Sequence, residues 1–305
     1  IFNDIEPGNT LPNPYSVSGI GQETQPWRGL ITTLKNRVLS NTTDLTSQVT
    51  TDVANFFGTC TASQITVSID PSTNAITYST TATDWSFRRL VLHYAKLCAA
   101  INTARPGTIT NFLIGSELRE LLCLQSSSGV FPAVAAMVTL AADVKAVLGS
   151  GVKISYASDW SETTGYSATN GFFFHLDPIW ASSSVDFIGI DYYVPLGDDK
   201  TGATLHDLAV LQSGVQGGEL YDYFYASDTA RTAQIRTPIT DSVYRIKAIA
   251  NWWSTQHYNR PGGVPSGSPT SFVPQGKQIV LTEYGAAKID KTANQPNVFP
   301  VPDPA

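Results

Sequence analysis

Two short apolar segments of the chain each end in a glutamate: Asn111-Phe-Leu-Ile-Gly-Ser-Glu117 and Gln278-Ile-Val-Leu-Thr-Glu283. Each segment is predicted to be a buried β-strand followed at once by a carboxylate. Parallel α/β barrels present catalytic groups at this position, at the carboxyl ends of their strands. Two carboxylates that face each other across a barrel mouth are the minimal apparatus for hydrolysing a glycosidic bond.

Two more segments repeat this pattern. The predicted strand Val152-Lys-Ile-Ser-Tyr-Ala157 precedes Asp159 and Trp160, and the predicted strand Val185-Asp-Phe-Ile-Gly-Ile190 precedes Asp191. Apolar residues at helical spacing predict helices between the strands. These helices are expected from Trp85 to about Ile101, capped by Thr83 or Asp84, from Pro132 to Leu148, with Gly149 as terminator, and from Ile239 to about His257.

Four strands that alternate with helices imply right-handed parallel connections, hence a barrel or a doubly wound sheet. A doubly wound sheet concentrates its ligand contacts at one switch point, and its usual glycine-rich phosphate loops, GxGxxG or GxxxxGK[ST], do not occur here. Polar groups instead follow all four strands, at Glu117, Asp159, Asp191 and Glu283. The sequence therefore favours a TIM (β/α)8-type barrel.

Composition excludes several classes of function. The 305 residues are 42% hydrophobic and 14% charged, which is enough to bury a large core in one or two domains. A net charge of -6 without a run of lysines or arginines excludes a nucleic-acid or anionic-membrane surface, and no apolar stretch is long enough to span a bilayer. The three cysteines form no CxxC pair, and we assign neither a metal nor a cofactor.

We expect one glycosidase-like barrel domain over residues 1–305. Residues 1–84, rich in Thr, Ser, Asn and Pro, are predicted to be irregular, with a hairpin insertion near 65–79 around the turn sequence Asp-Pro-Ser-Thr-Asn. Residues 85–285 are predicted to form the regular βα units. Residues 286–305 are predicted to form an extended tail.

Several phrases of the chain resemble known families. Ser116-Glu117 and Thr282-Glu283-Tyr-Gly285 are similar to the acid/base and nucleophile signatures of retaining glycosidases. Longer phrases across nearly the whole chain resemble the TIM-barrel-like domain of the tail-hub proteins of gene transfer agents and related tailed phages: Pro26-Trp-Arg-Gly-Leu-Ile-Thr32, Trp85-Ser-Phe-Arg-Arg-Leu-Val-Leu-His-Tyr-Ala95, Phe112-Leu-Ile-Gly-Ser-Glu-Leu118, Ser155-Tyr-Ala-Ser-Asp-Trp-Ser161, Asp186-Phe-Ile-Gly-Ile-Asp191 and Asn294-Gln-Pro-Asn-Val-Phe299.

The resemblance implies double displacement, with Glu283 as the nucleophile and Glu117 as the acid/base. Glu117 should then have a raised pKa, through the nearby carboxylate and partial burial. Tyr193 or Tyr192 is expected to hydrogen-bond Glu283. The substrate-binding candidates are the hydroxyl-binding groups and stacking rings near the strand ends, with Trp27 as a weaker candidate: Asp159, Trp160, Trp180, Asp191, Tyr192, Tyr193 and Tyr284.

The resemblance also implies a setting, at the tail tip of a particle that acts on the host cell envelope. Expected partners are envelope or capsular polysaccharide and other tail proteins, within an oligomeric tail assembly. By the family pattern, Ile1 lies near the end of an early barrel strand and a closing strand follows Ala305. The chain would then be the middle of a longer polypeptide, with a barrel that lacks its first strands and its last strand.

Two segments depart from the family pattern. Pro195-Leu-Gly-Asp-Asp-Lys200 stands where the family has Pro-Leu-Ser-Asp-Trp-Arg, and Gly285-Ala-Ala-Lys288 stands where it has Gly-Cys-Pro-Ala. Both segments follow proposed site strands, so sugar recognition beside the two glutamates is expected to differ from that of the family.

Other interpretations remain open. Either glutamate alone could cap a helix or pair with an arginine such as Arg119, and Asp159 and Asp191 are as suited to orienting loops as to binding ligand. The whole domain could be a non-catalytic carbohydrate-binding or structural module of the tail hub, because fold does not imply function. A free secreted glycosidase is a third reading.

Overall fold

A computed structural model describes residues 5–13, 16, 18–22, 27–33, 37, 40, 42–199, 202–204 and 207–297. Its strands are β1 (Ile65–Ile69), β2 (Ile76–Thr80), β3 (Asn111–Ser116), β4 (Lys153–Asp159), β5 (Tyr166–Ala168), β6 (Gly171–Phe173), β7 (Ile188–Tyr192), β8 (Tyr223–Phe224), β9 (Thr237–Pro238), β10 (Arg260–Pro261) and β11 (Ile279–Tyr284). Its α-helices are α1 (Gln48–Phe57), α2 (Phe87–Ala104), α3 (Arg119–Leu122), α4 (Pro132–Leu148), α5 (Trp160–Thr163), α6 (Asp177–Ala181), α7 (Leu208–Gly214), α8 (Asp228–Thr232) and α9 (Ile249–Ser254).

The centre of the fold is a four-stranded parallel sheet in the order β11-β7-β4-β3. These are the four strands that the sequence predicts, and together with the helices they confirm an α/β fold with parallel connections. The strands lie side by side in chain order, without the reversal that marks a doubly wound sheet. Within the described residues β3 and β11 are the outer strands of the sheet, so the closed barrel stays a prediction.

The helices cover one face of the sheet. Met137, Leu140 and Val144 of α4 join Ile114 of β3 and Ile154 of β4 in one buried cluster. Helices α1 and α2 pack against α4, and the antiparallel hairpin of β1 and β2 packs against α2. The hairpin therefore lies where the sequence places it, at 65–69 and 76–80. Within the described part of the chain, no helix has both the length and the apolar character needed to cross a bilayer.

The predicted helix boundaries are partly right. Helix α4 begins with Pro132 in its first turn and ends at Gly149, whose φ of 74° suits a residue without a side chain. The predicted cap of α2 at Thr83 or Asp84 is wrong, because Ser86 accepts the hydrogen bond of the Arg89 N–H at 3.2 Å. The Asp84 carboxylate instead accepts from the Thr59 N–H at 3.2 Å.

The helix predicted from Ile239 to about His257 is shorter than expected. The Asp241 side chain caps a 3-10 turn over Ser242–Tyr244, and α9 begins only at Ile249. Between them the N–H of Lys247 donates to Leu220 O at 3.2 Å, outside its own helix, and the Lys247 ammonium donates to Pro195 O at 2.7 Å. These long-range bonds replace the i to i−4 bonds of a continuous helix.

The C-terminal segment is only partly described. Residues 292–294 form a 3-10 turn where an extended tail is predicted, and the N–H groups of Leu196 and Gly197 donate to Ala293 O at 2.8 and 3.1 Å. This turn therefore docks on the loop that follows β7. Residues 298–305, a closing strand beyond them, Lys200, Pro26 and the early strand expected near Ile1 lie outside the described residues.

Candidate active site at the carboxyl edge of the sheet

Glu117 follows β3 directly and has an unusual backbone. Its φ is 49°, in the left-handed region that costs a non-glycine residue about 1–2 kcal/mol. Its N–H donates to Ala157 O of β4 at 2.8 Å, and the pairing of β3 with β4 shifts register between Leu113 and Ser116. Irregularities of this kind re-aim side chains beside functional sites.

Glu283 lies within β11 near its carboxyl end. The pairing of β11 with β7 also shifts register here, between Leu281 and Glu283. Each proposed catalytic glutamate therefore stands at an irregularity on an outer strand of the parallel sheet, and β7, with Asp191, lies next to β11.

The three carboxylates meet at this edge. One carboxylate oxygen from each of Glu117, Asp191 and Glu283 lies within 4.8 Å of the other two. The carboxyl groups of retaining glycosidases stand about 5–5.5 Å apart, whereas those of inverting enzymes stand about 6.5–9.5 Å apart. The spacing of Glu117 and Glu283 is thus compatible with the shorter class.

Asp191 connects the two glutamate motifs. It is fully buried, and its two carboxylate oxygens accept hydrogen bonds from Ser116 Oγ at 2.8 Å and from Thr282 Oγ1 at 2.6 Å. These hydroxyls belong to the residues directly before Glu117 and Glu283. Asp191 therefore orients both motifs, and its oxygens are occupied by protein groups.

Arg28 supplies the positive charge. Its Nη2 lies 3.1 Å from Glu117 Oε2 and 3.6 Å from Glu283 Oε1. The same guanidinium donates to Ser116 O at 2.9 Å and to Ser116 Oγ at 2.7 Å. Trp27 is next to it, and its indole N–H donates to Glu117 Oε2 at 2.6 Å.

Burial is the main influence on the acidic groups. It raises the pKa of Glu117, while the Trp27 hydrogen bond and the Arg28 charge oppose the rise and the carboxylates of Asp159 and Asp191 add to it. Burial likewise raises the pKa of Asp191, against the hydrogen bonds from Thr282 and Ser116. The sequence predicts that the carboxylate of Glu283 raises the pKa of Glu117. In the structure, the carboxylates that add to the effect of burial are those of Asp159 and Asp191.

Tyr193 contacts Glu283, as one of the two alternatives proposed from sequence. Its hydroxyl donates to Glu283 Oε2 at 3.0 Å, and burial together with this bond raises the pKa of Tyr193 to about 12. Tyr193 therefore stays a neutral donor across the physiological range. The neighbouring Tyr192 is half-buried against the core, and its pKa is raised to about 12 by burial.

The other predicted site residues occupy different environments. Asp159 caps α5, accepting from the Ser161 N–H at 2.9 Å, and Cα pairing places it opposite Asp191. Trp160 is half-buried and lines a cavity, and Tyr284 is exposed at the end of β11. Trp180 is 2% exposed in the core, where no sugar ring can reach it.

A buried hydrogen-bonded chain supports the Glu117 turn from below. The N–H of Leu118 donates to the Tyr156 hydroxyl at 2.6 Å, which donates to Glu162 Oε1 at 2.8 Å. The Asp159 N–H donates to the same oxygen at 3.0 Å, while Glu162 Oε2 has no hydrogen-bond partner among the described residues. Burial raises the pKa of Glu162 to about 8, so it is mostly protonated at neutral pH.

Sequence reasoning missed three of these residues. Arg28, Ser116 and Thr282 carry the polar contacts around the carboxylates, and Trp27, a weak candidate, contacts Glu117 directly. A signal existed, since Trp27 and Arg28 lie in the phrase Pro26 to Thr32 quoted for the resemblance. The rival pairing of Glu117 with Arg119 is not observed, because Arg119 lies 3.8 Å from Glu120 instead.

The carboxylate cluster also has the spacing of a metal site. Among the described residues, Glu117, Asp191 and Glu283 are the group of ligand-type side chains close enough to hold one ion. The donor set fits a cation poorly, however, because Asp191 accepts two hydroxyl hydrogen bonds and the Arg28 guanidinium already forms ion pairs with both glutamates. We derive no step through a metal.

Comparison with protein families matches residues 85–305 to the GTA TIM-barrel-like domain, where GTA denotes gene transfer agent. The chain belongs to this family. The match covers more than half of the chain and includes both glutamates, Asp191 and Tyr193, whereas Trp27 and Arg28 precede it. Comparison with curated proteins gave no match. Membership of the family confirms the resemblance read from the sequence.

Proposed function

We propose that this domain is a retaining glycoside hydrolase of a gene-transfer-agent or phage tail, acting on host cell-envelope polysaccharide. The observation that carries the proposal is the short spacing of Glu117 and Glu283, within 4.8 Å, at the carboxyl edge of a parallel sheet. The family supports the association with gene transfer agents. The hydrolytic activity, the tail-tip location and the substrate are our proposal.

The two glutamates take different roles because their surroundings differ. Glu283, with a side chain that is 45% exposed, receives the Tyr193 hydrogen bond, which orients its carboxylate for attack as the nucleophile. Glu117, with a side chain that is 9% exposed and a raised pKa, is suited to hold the proton for the leaving group.

The reaction proceeds in two displacements. The Glu283 carboxylate attacks the anomeric carbon while Glu117 transfers its proton to the glycosidic oxygen, so the C–O bond breaks and a glycosyl ester forms on Glu283. Glu117, now ionised, removes a proton from a water molecule that attacks the same carbon and releases Glu283. Arg28 must turn away from the cleft when the sugar enters, and its half-exposed side chain allows this.

Substrate contacts follow from the positions of the remaining candidates. Exposed Tyr284 and half-buried Trp160 offer ring faces on which a pyranose can stack. Tyr193 and Tyr192 line the same edge, directly after Asp191. Asp159 and Asp191 act as positioning groups in this proposal, and Trp180 is left out of it.

We also propose that the sheet is one sector of a TIM barrel, completed by strands that pair with the outer edges of β3 and β11. Apolar side chains on these two strands support this, because Leu113, Val280 and Leu281 are exposed although parallel sheets are normally covered on both faces. A structure of the full-length protein tests this: new parallel strands at both edges are expected, and an open sheet with solvent at both edges would contradict it.

The proposed setting is a tail tip in which the domain contacts other tail proteins within an oligomer, and the substrate is polysaccharide of the host envelope. Immunogold labelling of intact particles provides the check. Label is expected at the tail tip, and label confined to the head or to free protein would contradict the setting.

One observation favours a second candidate function, a non-catalytic carbohydrate-binding or structural module. Arg28 lies between the two glutamates and holds both in ion pairs, which opposes protonation of Glu117. A binding or structural module needs no proton on Glu117, so these two ion pairs would not impair its function.

Hydrolysis of purified envelope polysaccharide separates the two candidates. The full-length protein is expected to release reducing ends, and Glu117→Gln and Glu283→Gln are each expected to abolish release while binding persists. Glu6→Gln, at an exposed glutamate, is the matched control. Binding without release by the unsubstituted protein would rule out the enzyme and leave the binding module.

A further inference from the structure

A cavity of about 600 Å³ is lined by Trp160, the residue that directly follows Asp159. Its wall on the sheet side consists of Trp160, which follows β4, and Pro195, which follows β7. Its opposite wall comes from residues 219–246, in the long connection between β7 and β11. None of the three clustered carboxylates lines it. The cavity therefore shares no carboxylate with the proposed active site, although Trp160 follows Asp159, which pairs with Asp191 of the cluster. Its volume is typical of a small-molecule site.

The charges that line the cavity are paired within the protein. The Arg231 guanidinium donates to both carboxylate oxygens of Glu219, and Arg260 pairs with Asp241 at 2.5 Å. Arg231 also stacks over the Tyr225 ring. A phosphate or carboxylate would find no uncommitted cation among the described lining residues, so an uncharged ligand suits the cavity best.

Flat rings and amide groups provide the remaining lining. Trp160, Phe224, Tyr225 and Tyr244 contribute aromatic surface. At the rim lie Gln295 and Asn297, whose side-chain amides form no hydrogen bond among the described residues. Aromatic faces with nearby amide donors and acceptors match a pyranose ring, which has apolar faces and a hydroxylated edge.

Hydrogen bonds to Asp198 hold the opposite wall of the cavity, from residues 219–246, in place. Asp198 accepts hydrogen bonds from the hydroxyls of Tyr223 at 2.7 Å and Tyr225 at 2.5 Å, and it pairs with Arg236 at 3.0 Å. Asp198 belongs to the segment Pro195 to Lys200 that departs from the family pattern. The opposite wall is thus bonded to the loop after β7. The same loop contributes Pro195 to the wall on the sheet side.

We propose that this cavity binds an uncharged sugar unit of the polysaccharide, as a subsite next to the cleavage site. Trp160 stands between the two, because it directly follows Asp159, whose Cα pairs with Asp191 of the cluster. A glycan that is cut at Glu117 and Glu283 can therefore place a neighbouring sugar against Trp160 and Phe224. The identity of the ligand as polysaccharide rests on the proposed function.

A binding experiment tests the subsite without requiring turnover. The full-length protein carrying Glu117→Gln and Glu283→Gln is applied to an array of neutral and acidic glycans, and the best neutral binder is titrated by calorimetry. Adding Phe224→Ala or Trp160→Ala is expected to weaken binding about tenfold, or about 1.4 kcal/mol, because each variant removes a ring face on which the sugar stacks. Trp85→Ala is the matched control, because Trp85 is 91% exposed and does not line the cavity, so affinity should stay within about twofold.

Three results would overturn the subsite: no neutral glycan bound, only acidic glycans bound, or unchanged affinity in both cavity variants. Phe224 is exposed and makes no ring pair with another aromatic side chain among the described residues, so Phe224→Ala remains informative even where Trp160→Ala unfolds the chain. Retained neutral-glycan binding in a protein that never hydrolyses refutes the proposed hydrolase alone. Hydrolysis with cavity variants of unchanged affinity refutes the subsite alone.

Discussion

Glu117 and Glu283 follow the same sequence pattern and end in opposite environments. Glu117 is nearly buried and has a left-handed backbone. It receives a hydrogen bond from Trp27 and forms an ion pair with Arg28. Glu283 lies within strand β11, is about half exposed and accepts a hydrogen bond from the Tyr193 hydroxyl. Asp191 orients both glutamate motifs, because it accepts hydrogen bonds from Ser116 and Thr282, the residues that precede them. The difference teaches that a strand ending in glutamate sets the position of a carboxylate, whereas residues distant in sequence set its burial and its hydrogen-bond partners.

The largest test of this difference substitutes each glutamate. Glu117→Gln is expected to lose about 10²–10⁴-fold activity on natural glycans, the usual contribution of a general acid. On aryl glycosides with a strongly acidic leaving group, kcat/KM should be retained, because formation of the glycosyl ester then needs no proton. The kcat value should still fall, because the second displacement loses its base. Glu283→Gln is expected to lose activity on both substrates, because no covalent intermediate forms.

Steady-state kinetics on the two substrate types measures both effects. Equal losses of kcat/KM on both substrates in Glu117→Gln would show that the buried glutamate is not the acid. Full activity of Glu283→Gln on either substrate would remove it from the nucleophile role.

The second test concerns the buried chain below Glu117. The pKa of Glu162 is raised from its ordinary 4.5 to about 8, so between these values the unfolded chain has lost the proton that the folded chain keeps. The free energy of unfolding should then fall by about 1.4 kcal/mol per pH unit from pH 4.5 to 8 through this group. Glu162→Gln keeps the acceptor Oε1 and should remove that part of the pH dependence.

Denaturant unfolding at pH 5, 7 and 9 checks this, with Glu6→Gln as the exposed control. Glu162→Gln is expected to be more stable than the unsubstituted protein at pH 9 and similar to it at pH 5. An identical pH slope in both proteins would show that Glu162 is ionised in the fold.

The third test removes the support of Glu283. Tyr193→Phe deletes the hydroxyl that donates to Glu283 Oε2, and hydrogen bonds to a charged group contribute about 1.5–3 kcal/mol. We expect a fall of about 10–100-fold in kcat/KM, with the fold unchanged. Tyr78→Phe, on the distant hairpin, is the control. Activity equal to that of the control would mean that the Tyr193 bond does not contribute to turnover.

The smallest effect is a shift in pH dependence. Trp27→Phe deletes a donor to the Glu117 carboxylate, so the neutral form gains relative to the ionised form and the pKa of Glu117 rises further. The basic limb of the kcat/KM profile should move to higher pH by less than about one unit. Trp85→Phe should leave the limb in place, and a shift to lower pH in Trp27→Phe would contradict the assignment of that limb to Glu117.

Much of the sheet could be predicted from the sequence, because β3, β4, β7 and β11 are local apolar runs with a polar residue at the end. The pairing of Glu117 with Glu283 could be predicted because each follows or ends one of these strands. Arg28 did not, because it reaches Ser116 from 88 positions away and lies in a short 3-10 turn without periodic signal. Its contact with the cluster is purely tertiary.

Other errors have the same origin. Trp180 lies in a segment predicted to be a loop close to the strand ends, yet it packs against Tyr156 in the core. The region from Ile239 has helical spacing, yet the bonds of Lys247 to Leu220 and Pro195 interrupt the helix. In both cases contacts with residues distant in sequence determine the local structure, and the local sequence pattern does not show these contacts.

The anomeric configuration of the first product tests the central claim most directly. Proton NMR during the first minutes of hydrolysis of a defined glycan by the full-length protein distinguishes the product anomers before they equilibrate. Attack by Glu283 followed by water predicts a product with the configuration of the substrate. A product of inverted configuration, or no product from a protein that binds the glycan, would contradict double displacement by Glu117 and Glu283.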